Sequence, residues 1–389
     1  MIRDSNTTLI HTGIHNSFPP INRNTGHVAV TEENEFLNST MRQKKRISHI
    51  RTICTNHSVK NNISNRFYED VLIRSDKYKF SMCTAAKVGS TFLIQFMTVL
   101  EKGIEYGKAL FQTERKLTHM YHAHDFLTSR KWASHERTVL VARDPYSRLF
   151  SAYIDKIYLP IWFETSQRIR ERYSNKNESN CQTLVTFEEF LKHIIHIANQ
   201  GIKPDRHWAQ ISATCYPCEL NAFLLVKQES FVEDIAFVLK SVNATAEERD
   251  VIDSAMKNKK KEWILPGLIA TIYDYAKEER VQHCLGWRNV AKRVWESFKF
   301  QGYIRSDVPF PFNGGFTANN TYQNATVFSQ VVIETIVANP LTSTESRQQR
   351  QAYLCEAYQT ISNDTISALK EIYRYDFLLY DYSTTPPCW

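Results

Sequence analysis

The sequence predicts an α/β fold in a single domain, a parallel sheet flanked by helices, preceded by an irregular N-terminal stem. Three observations carry this. Apolar, β-prone runs at residues 78–82, 137–142 and 222–226 each lead through a short turn into a stretch with helical spacing of apolar residues. Strand-then-helix repeats join by right-handed crossovers, which makes the strands parallel. A chain of 389 residues, 42% hydrophobic and 12% aromatic, can also bury a sizeable core.

Residues 1–65 are rich in Asn, Ser, Thr and His, lack lasting periodicity and carry Pro19-Pro20, so they read as a stem or linker. Their basic cluster, Arg42-Gln-Lys-Lys-Arg46, reads as a solvated charge run, with a processing site or polyanion contact as the alternatives. The folded domain is expected over 66–389. After the strand at 78–82 comes Cys83-Thr-Ala-Ala-Lys87-Val-Gly-Ser-Thr-Phe92, then a helix whose Phe92, Phe96, Val99 and Leu100 share a face. Residues 118–125 hold His119, His122 and His124. If that stretch is extended, His122 and His124 lie on one side; it suits a metal site, a general base or a solvated loop.

The strand at 137–142 ends in Arg143-Asp-Pro145, and a helix is expected over 146–158 with Leu149, Phe150, Tyr153 and Ile157 on its apolar face. Residues 175–180 form a polar insertion, and a helix resumes at 187–198. His207-Trp208, Cys215 and Cys218 precede the third strand, and Phe231, Ile235, Val238 and Leu239 mark the helix after it. Residues 244–300 read as helical and charged, with 257–261 a helix surface; 305–326 read as a loop. A last helix over 364–375 leads into an aromatic tail, 377–382, that packs on the domain.

The net charge of +7, with a pI near 8.8, favours polyanionic partners without choosing among them. Eight dispersed cysteines with a single CxxC fit disulfides in an oxidising compartment better than zinc, and Cys215 and Cys218 are expected to pair with separate partners. There are nine Asn-x-Ser/Thr sequons, where about three are expected by chance, which points to the secretory pathway. No run approaches the length of a membrane span and the N-terminus lacks a signal-peptide core, so the targeting segment is expected to lie outside this sequence.

The loop after the first strand is P-loop-like in its setting. Backbone N–H groups at a helix N-terminus make a ready anion site, to which Lys87, Ser90 and Thr91 add a charge and two hydroxyls. It is not the nucleotide-triphosphatase loop, because lysine precedes the glycine. Arg143 stands at a strand's C-terminal end, where open α/β sheets bind ligands, with Ser151 about two turns into the next helix.

Together these stretches resemble the Golgi carbohydrate sulfotransferases. Ala86-Lys-Val-Gly-Ser-Thr91 is similar to that family's loop for the 5′-phosphosulfate of 3′-phosphoadenosine 5′-phosphosulfate (PAPS), which implies contacts from Lys87, Val88, Gly89, Ser90, Thr91 and Phe92. Arg143-Asp-Pro-Tyr-Ser-Arg-Leu-Phe-Ser151 resembles its second signature, which implies that Arg143 and Ser151 grip the 3′-phosphate. His207-Trp208, Cys215-Tyr-Pro-Cys218 and Tyr373-Arg-Tyr-Asp-Phe377 resemble the chondroitin/dermatan 4-O and HNK-1 branch. Tyr121-His-Ala-His124 is similar instead to the uronyl 2-O-sulfotransferases, in which the second histidine is the base. Ala86 departs from the family, which has proline there.

The resemblance implies PAPS as cosubstrate, an acidic glycan or glycosaminoglycan as acceptor, no nucleic acid partner, and a Golgi-lumenal enzyme with a membrane anchor not visible in this sequence. Lys87 is then expected to offset charge on the leaving phosphate oxygen, with His124 as base and His122 and His207 in reserve. The scheme needs no metal, and none is expected. The rivals are a non-catalytic glycan-binding homologue and a nucleotide-dependent kinase. The kinase needs Mg²⁺ ligands near the loop, for which only Asp144 is at hand.

Overall fold

Four strands, β1 (Leu72–Ser75), β2 (Phe80–Cys83), β3 (Arg137–Ala142) and β4 (Asn221–Lys227), lie side by side in that order. The computed structural model describes residues 24–56, 59, 72–111, 118–119, 136–173, 184–257, 261–312 and 321–389. The three expected strands, β2 to β4, pair in parallel, with Cys83 opposite Leu140 and Leu140 opposite Leu225, so their C-terminal ends emerge together. The sequence reading lacked β1, whose four residues pair antiparallel with β2 and form the sheet's edge. Burial of both sheet faces explains why β2 and β3 read as near-continuous apolar runs.

Helix α1 (Asn24–Cys54) corrects the expectation of an irregular stem over 1–65. Its weak amphipathicity hid it, because polar side chains share the docking face with the buried Ile47 and Ile50. The side-chain amide of Gln43 donates to Leu225 O at 3.0 Å and accepts from Leu225 N at 2.9 Å, pairing with the β4 edge as a strand would. Arg42 and Arg46 reach the fully buried Asp234 at 3.3 and 2.7 Å, so the basic cluster is in part a docking element rather than a solvated run.

Helix α2 (Ser90–Lys102) follows β2 and is buried continuously from Leu93 to Leu100, against the sheet and the next helix, α3 (Ile104–Phe111). Helix α4 (Pro145–Tyr153) starts with proline in its first turn and Asp144 as cap, whose carboxylate accepts from Ser147 N at 2.8 Å. The expected continuous helix over 146–158 instead becomes a π turn at Ile154–Tyr158. Then come α5 (Phe163–Tyr173), α6 (Phe187–Asn199) and the short α7 (Ile211–Cys215), with α8 (Phe231–Ser241) packed back on β4.

Helix α9 (Ala246–Lys257) adds Ile252 and Met256 to the sheet's core, and α10 (Lys261–Ala276), α11 (Glu279–Cys284) and α12 (Gly286–Phe300) pack around a second core centred on the fully buried Trp295. Helices α13 (Ala325–Ala338) and α14 (Ser343–Gln359) were not foreseen; α15 (Asn363–Ile372) and α16 (Arg374–Leu379) are the expected last helix, broken once at Tyr373. A third, aromatic core of Tyr146, Phe190, Tyr358 and Phe377 packs the C-terminal segment against α4.

The two cysteines of the CxxC do take separate partners: Cys215 joins Cys83 and Cys218 joins Cys54. Cys355 joins Cys388. Among the described residues no helix is long and apolar enough to cross a membrane.

Candidate active site

The site forms where β2, β3 and β4 end. The loop after β2 turns sharply, with Lys87 at φ 70° and Gly89 at φ 96°. A Cβ on Gly89 would lie 3.2 Å from Gln228 Oε1, on the turn after β4, a tight approach, and its angle is one that favours glycine. Arg143 leaves the end of β3 and donates from Nη1 to Lys87 O at 3.0 Å, while Asp144 caps α4 instead of pairing with it. Arg148, one turn on and only 1% exposed, donates from Nε to Ala86 O at 2.9 Å. Two arginines thus hold successive carbonyls of the loop. That is the rigidity which proline at position 86 would otherwise help to give.

Arg148 also donates to Ala209 O at 2.6 Å and to Arg206 O at 3.2 Å, which brings the segment carrying His207 beside the loop. The Tyr373 hydroxyl bonds Trp208 O, and Asp376 accepts from Ile211 N and Ser212 N at 2.8 and 2.7 Å. These residues just ahead of the aromatic tail fix the segment, and the tail itself packs on the domain as expected, with Phe377, Leu379 and Tyr380 buried. The Cys83–Cys215 disulfide closes the same frame from the other side.

Within the frame, Lys87 Nζ donates to Asp155 Oδ2 at 2.8 Å, and Lys156 Nζ lies 3.5 Å from the same oxygen. Both residues come from the π turn. Lys87 is largely buried, not the exposed lysine of an ordinary turn. Thr91 Oγ1 meets His119 Nε2 at 2.9 Å. Asp205 Oδ1 accepts from both the backbone N–H and Nδ1 of His207 at 2.7 Å, which leaves Nε2 as the ring's acceptor. The ring of Trp162 meets His207 edge-on, with centroids 4.9 Å apart.

Burial pushes His207 down to about 4 against the raising hydrogen bond from Asp205, and the charges of Lys156 and Lys87 add to the fall. Burial alone would raise Asp205, but the hydrogen bonds from His207 outweigh it and hold the carboxyl below its ordinary value. A neutral imidazole against an ionised carboxylate is the result.

The family profile that describes sulfotransferases matches residues 70–281, more than half of the chain. The chain belongs to the sulfotransferase family. It is similar to Carbohydrate sulfotransferase 12 of Xenopus laevis, 24% identical over 248 residues that cover 54% of this chain and 59% of the relative. Carbohydrate sulfotransferase 10 of Homo sapiens is 25% identical over 292 residues, 68% of this chain and 76% of the relative. Carbohydrate sulfotransferase 9 of Homo sapiens is 23% identical over 245 residues, 56% and 52% respectively. The chain thus spans little more than half the length of two of these curated relatives. No solved structure matches it.

In this member of the sulfotransferase family the expected loop residues Lys87 to Phe92, with Arg143, gather at one sheet end. Ser151 sits half-buried on α4, and His207 joins the site through Arg148. His122 and His124 lie outside the described residues. Sequence reasoning missed Arg148, Asp155 and Lys156, although all three stand in or just after the Arg-Asp-Pro stretch; Asp205 is two residues ahead of His207. Beside Trp162 and Asp205 opens a pocket of about 330 Å³, lined also by Glu164, Tyr275, Glu278 and Arg280.

Proposed function

We propose that this chain transfers a sulfuryl group from PAPS to a hydroxyl of a glycan. The observation that carries the reading is the convergence of Lys87, the glycine-bearing loop and Arg143 at the ends of two adjacent parallel strands. In such a site the loop amides of residues 88–92, with Ser90 and Thr91, hold the 5′-phosphosulfate, and Lys87 offsets charge on the leaving phosphate oxygen. Arg143 and Ser151 hold the 3′-phosphate, the arginine as a two-pronged donor.

His207 takes the place of base in this reading, because its Nδ1–H is committed to Asp205 and its Nε2 is open to accept a proton. His124 and His122 are the alternatives. The acceptor is an acidic glycan or glycosaminoglycan, to which the pocket beside Trp162 offers aromatic faces for a sugar ring and carboxylates that suit its hydroxyls rather than its anionic groups. The site of action is the Golgi lumen, and no metal takes part.

Labelled sulfate transfer from PAPS across a panel of desulfated glycosaminoglycans tests the whole reading, and calorimetry with adenosine 3′,5′-bisphosphate tests the donor half alone. Failure to bind the bisphosphate sinks the transferase assignment. Binding without transfer to any glycan leaves a glycan-binding homologue.

A further inference from the structure

We infer that Lys156 is a second catalytic cation, one that holds the sulfuryl oxygens while the group crosses from donor to acceptor. The inference rests on the sulfuryl-transfer reading above and adds a residue to it. Lys156 lies in the π turn Ile154–Tyr158, an insertion of a kind that is rare and concentrates at functional sites. That turn delivers two residues to the site at once: Asp155 to Lys87 at 2.8 Å, and Lys156 to the same carboxylate at 3.5 Å.

The side chains of Lys87, Asp155 and Lys156 are 10%, 9% and 12% exposed, so two cations are gathered around one carboxylate in a nearly dry place beside the anion loop. Largely buried ammonium groups beside an anion loop are well placed to interact strongly with a charged guest, because little water screens them there. Both lysines approach the same oxygen, Asp155 Oδ2, from different elements. Lys87 belongs to the loop, whereas Lys156 Nζ lies 5.2 Å from the centroid of the Trp162 ring, which itself abuts His207. Both cations also lower the proton affinity of His207, which places them within electrostatic reach of its ring.

A division of labour follows. As the acceptor oxygen forms its bond to sulfur, the sulfur–oxygen bond to the 5′-phosphate breaks. The acceptor's proton passes to His207 Nε2, and the bond pair leaves with adenosine 3′,5′-bisphosphate. Lys87 serves the oxygen that departs; Lys156, on the histidine side, serves the oxygens of the group in flight. Asp155 spaces the two.

The donor and the product nucleotide differ only by the sulfuryl group, so they separate the roles. In Lys156→Met, which keeps the apolar stem against Trp162, PAPS should bind about tenfold more weakly while adenosine 3′,5′-bisphosphate binds as before. Turnover should fall about 10²-fold, with partial recovery in Lys156→Arg. In Lys87→Met both nucleotides should bind more weakly. Equal loss of both nucleotides in Lys156→Met, or no loss of either, overturns the assignment, as does unchanged turnover. If the wild-type protein binds neither nucleotide, the sulfuryl-transfer reading fails and takes this inference with it.

Discussion

At the scale of single residues, the proposed chemistry turns on a histidine kept neutral and a lysine kept in place. His207→Ala should reduce turnover by about 10²- to 10⁴-fold without changing affinity for adenosine 3′,5′-bisphosphate. Near-wild-type turnover would pass the role to His124 or His122. The pH profile separates them as well. Because His207 is held near 4, kcat/KM should stay flat on the acid side down to about that pH, whereas an acid limb near 6.5 points to a histidine in an ordinary environment. An anionic donor seated between Lys87 and Lys156 offsets the charges that help to push His207 down, so its binding should raise the ring's proton affinity toward a more useful value. Arg148 is the residue on which this geometry most depends. Arg148→Met leaves three carbonyls without their donor and should cost about 3–5 kcal/mol of stability in denaturant titration.

At the scale of elements, what could be read in advance was whatever announces itself through apolar spacing. The three parallel strands and the helices after them were legible because both faces of each strand are covered, which leaves an apolar run in the sequence. Helix α1 was not, since much of its hold on the sheet is polar, with hydrogen bonds from Gln43, Arg46 and Arg51 to the β4 edge beside only a few buried apolar residues such as Ile47 and Ile50. The π turn escaped for a related reason: Ile157 suits a continued α-helix as well as it suits the turn. Asp234 is the anchor of α1, accepting also from Ser230 Oγ at 2.7 Å and Lys227 N at 3.0 Å. Asp234→Ala should therefore loosen α1 ahead of its Cys54–Cys218 tether, cost about 3–5 kcal/mol, and increase proteolysis within residues 24–54 before the sheet core unfolds.

At the scale of the whole molecule, acid should weaken the fold. Burial lowers both His193 and His207 from 6.5 to about 4, so as pH falls the unfolded chain takes up protons first. Their contribution is complete above about 6.5 and is lost as pH falls from there to about 4, worth about 3 kcal/mol for the well-buried His207. Melting temperature should decline steadily from pH 7 to pH 5, less steeply in His207→Gln; a flat profile removes this account. The five sequon asparagines among the described residues, Asn38, Asn56, Asn243, Asn324 and Asn363, are all exposed. Chain made in a secretory cell should carry glycans at these positions by peptide mass spectrometry, and bare asparagines at all five would contradict the secretory reading.

The Cys83–Cys215 bridge has a consequence for where this protein can work. Both cysteines are fully buried, one at the root of the anion loop and the other just beyond the segment that carries His207. Once the domain has closed over the bridge, a small reductant has no path to it except through unfolding. The bond therefore acts as a memory of birthplace: chain that folded under oxidising conditions keeps this tie between the loop and the His207 segment wherever it travels, and chain folded under reducing conditions has to hold the two together by hydrogen bonds alone.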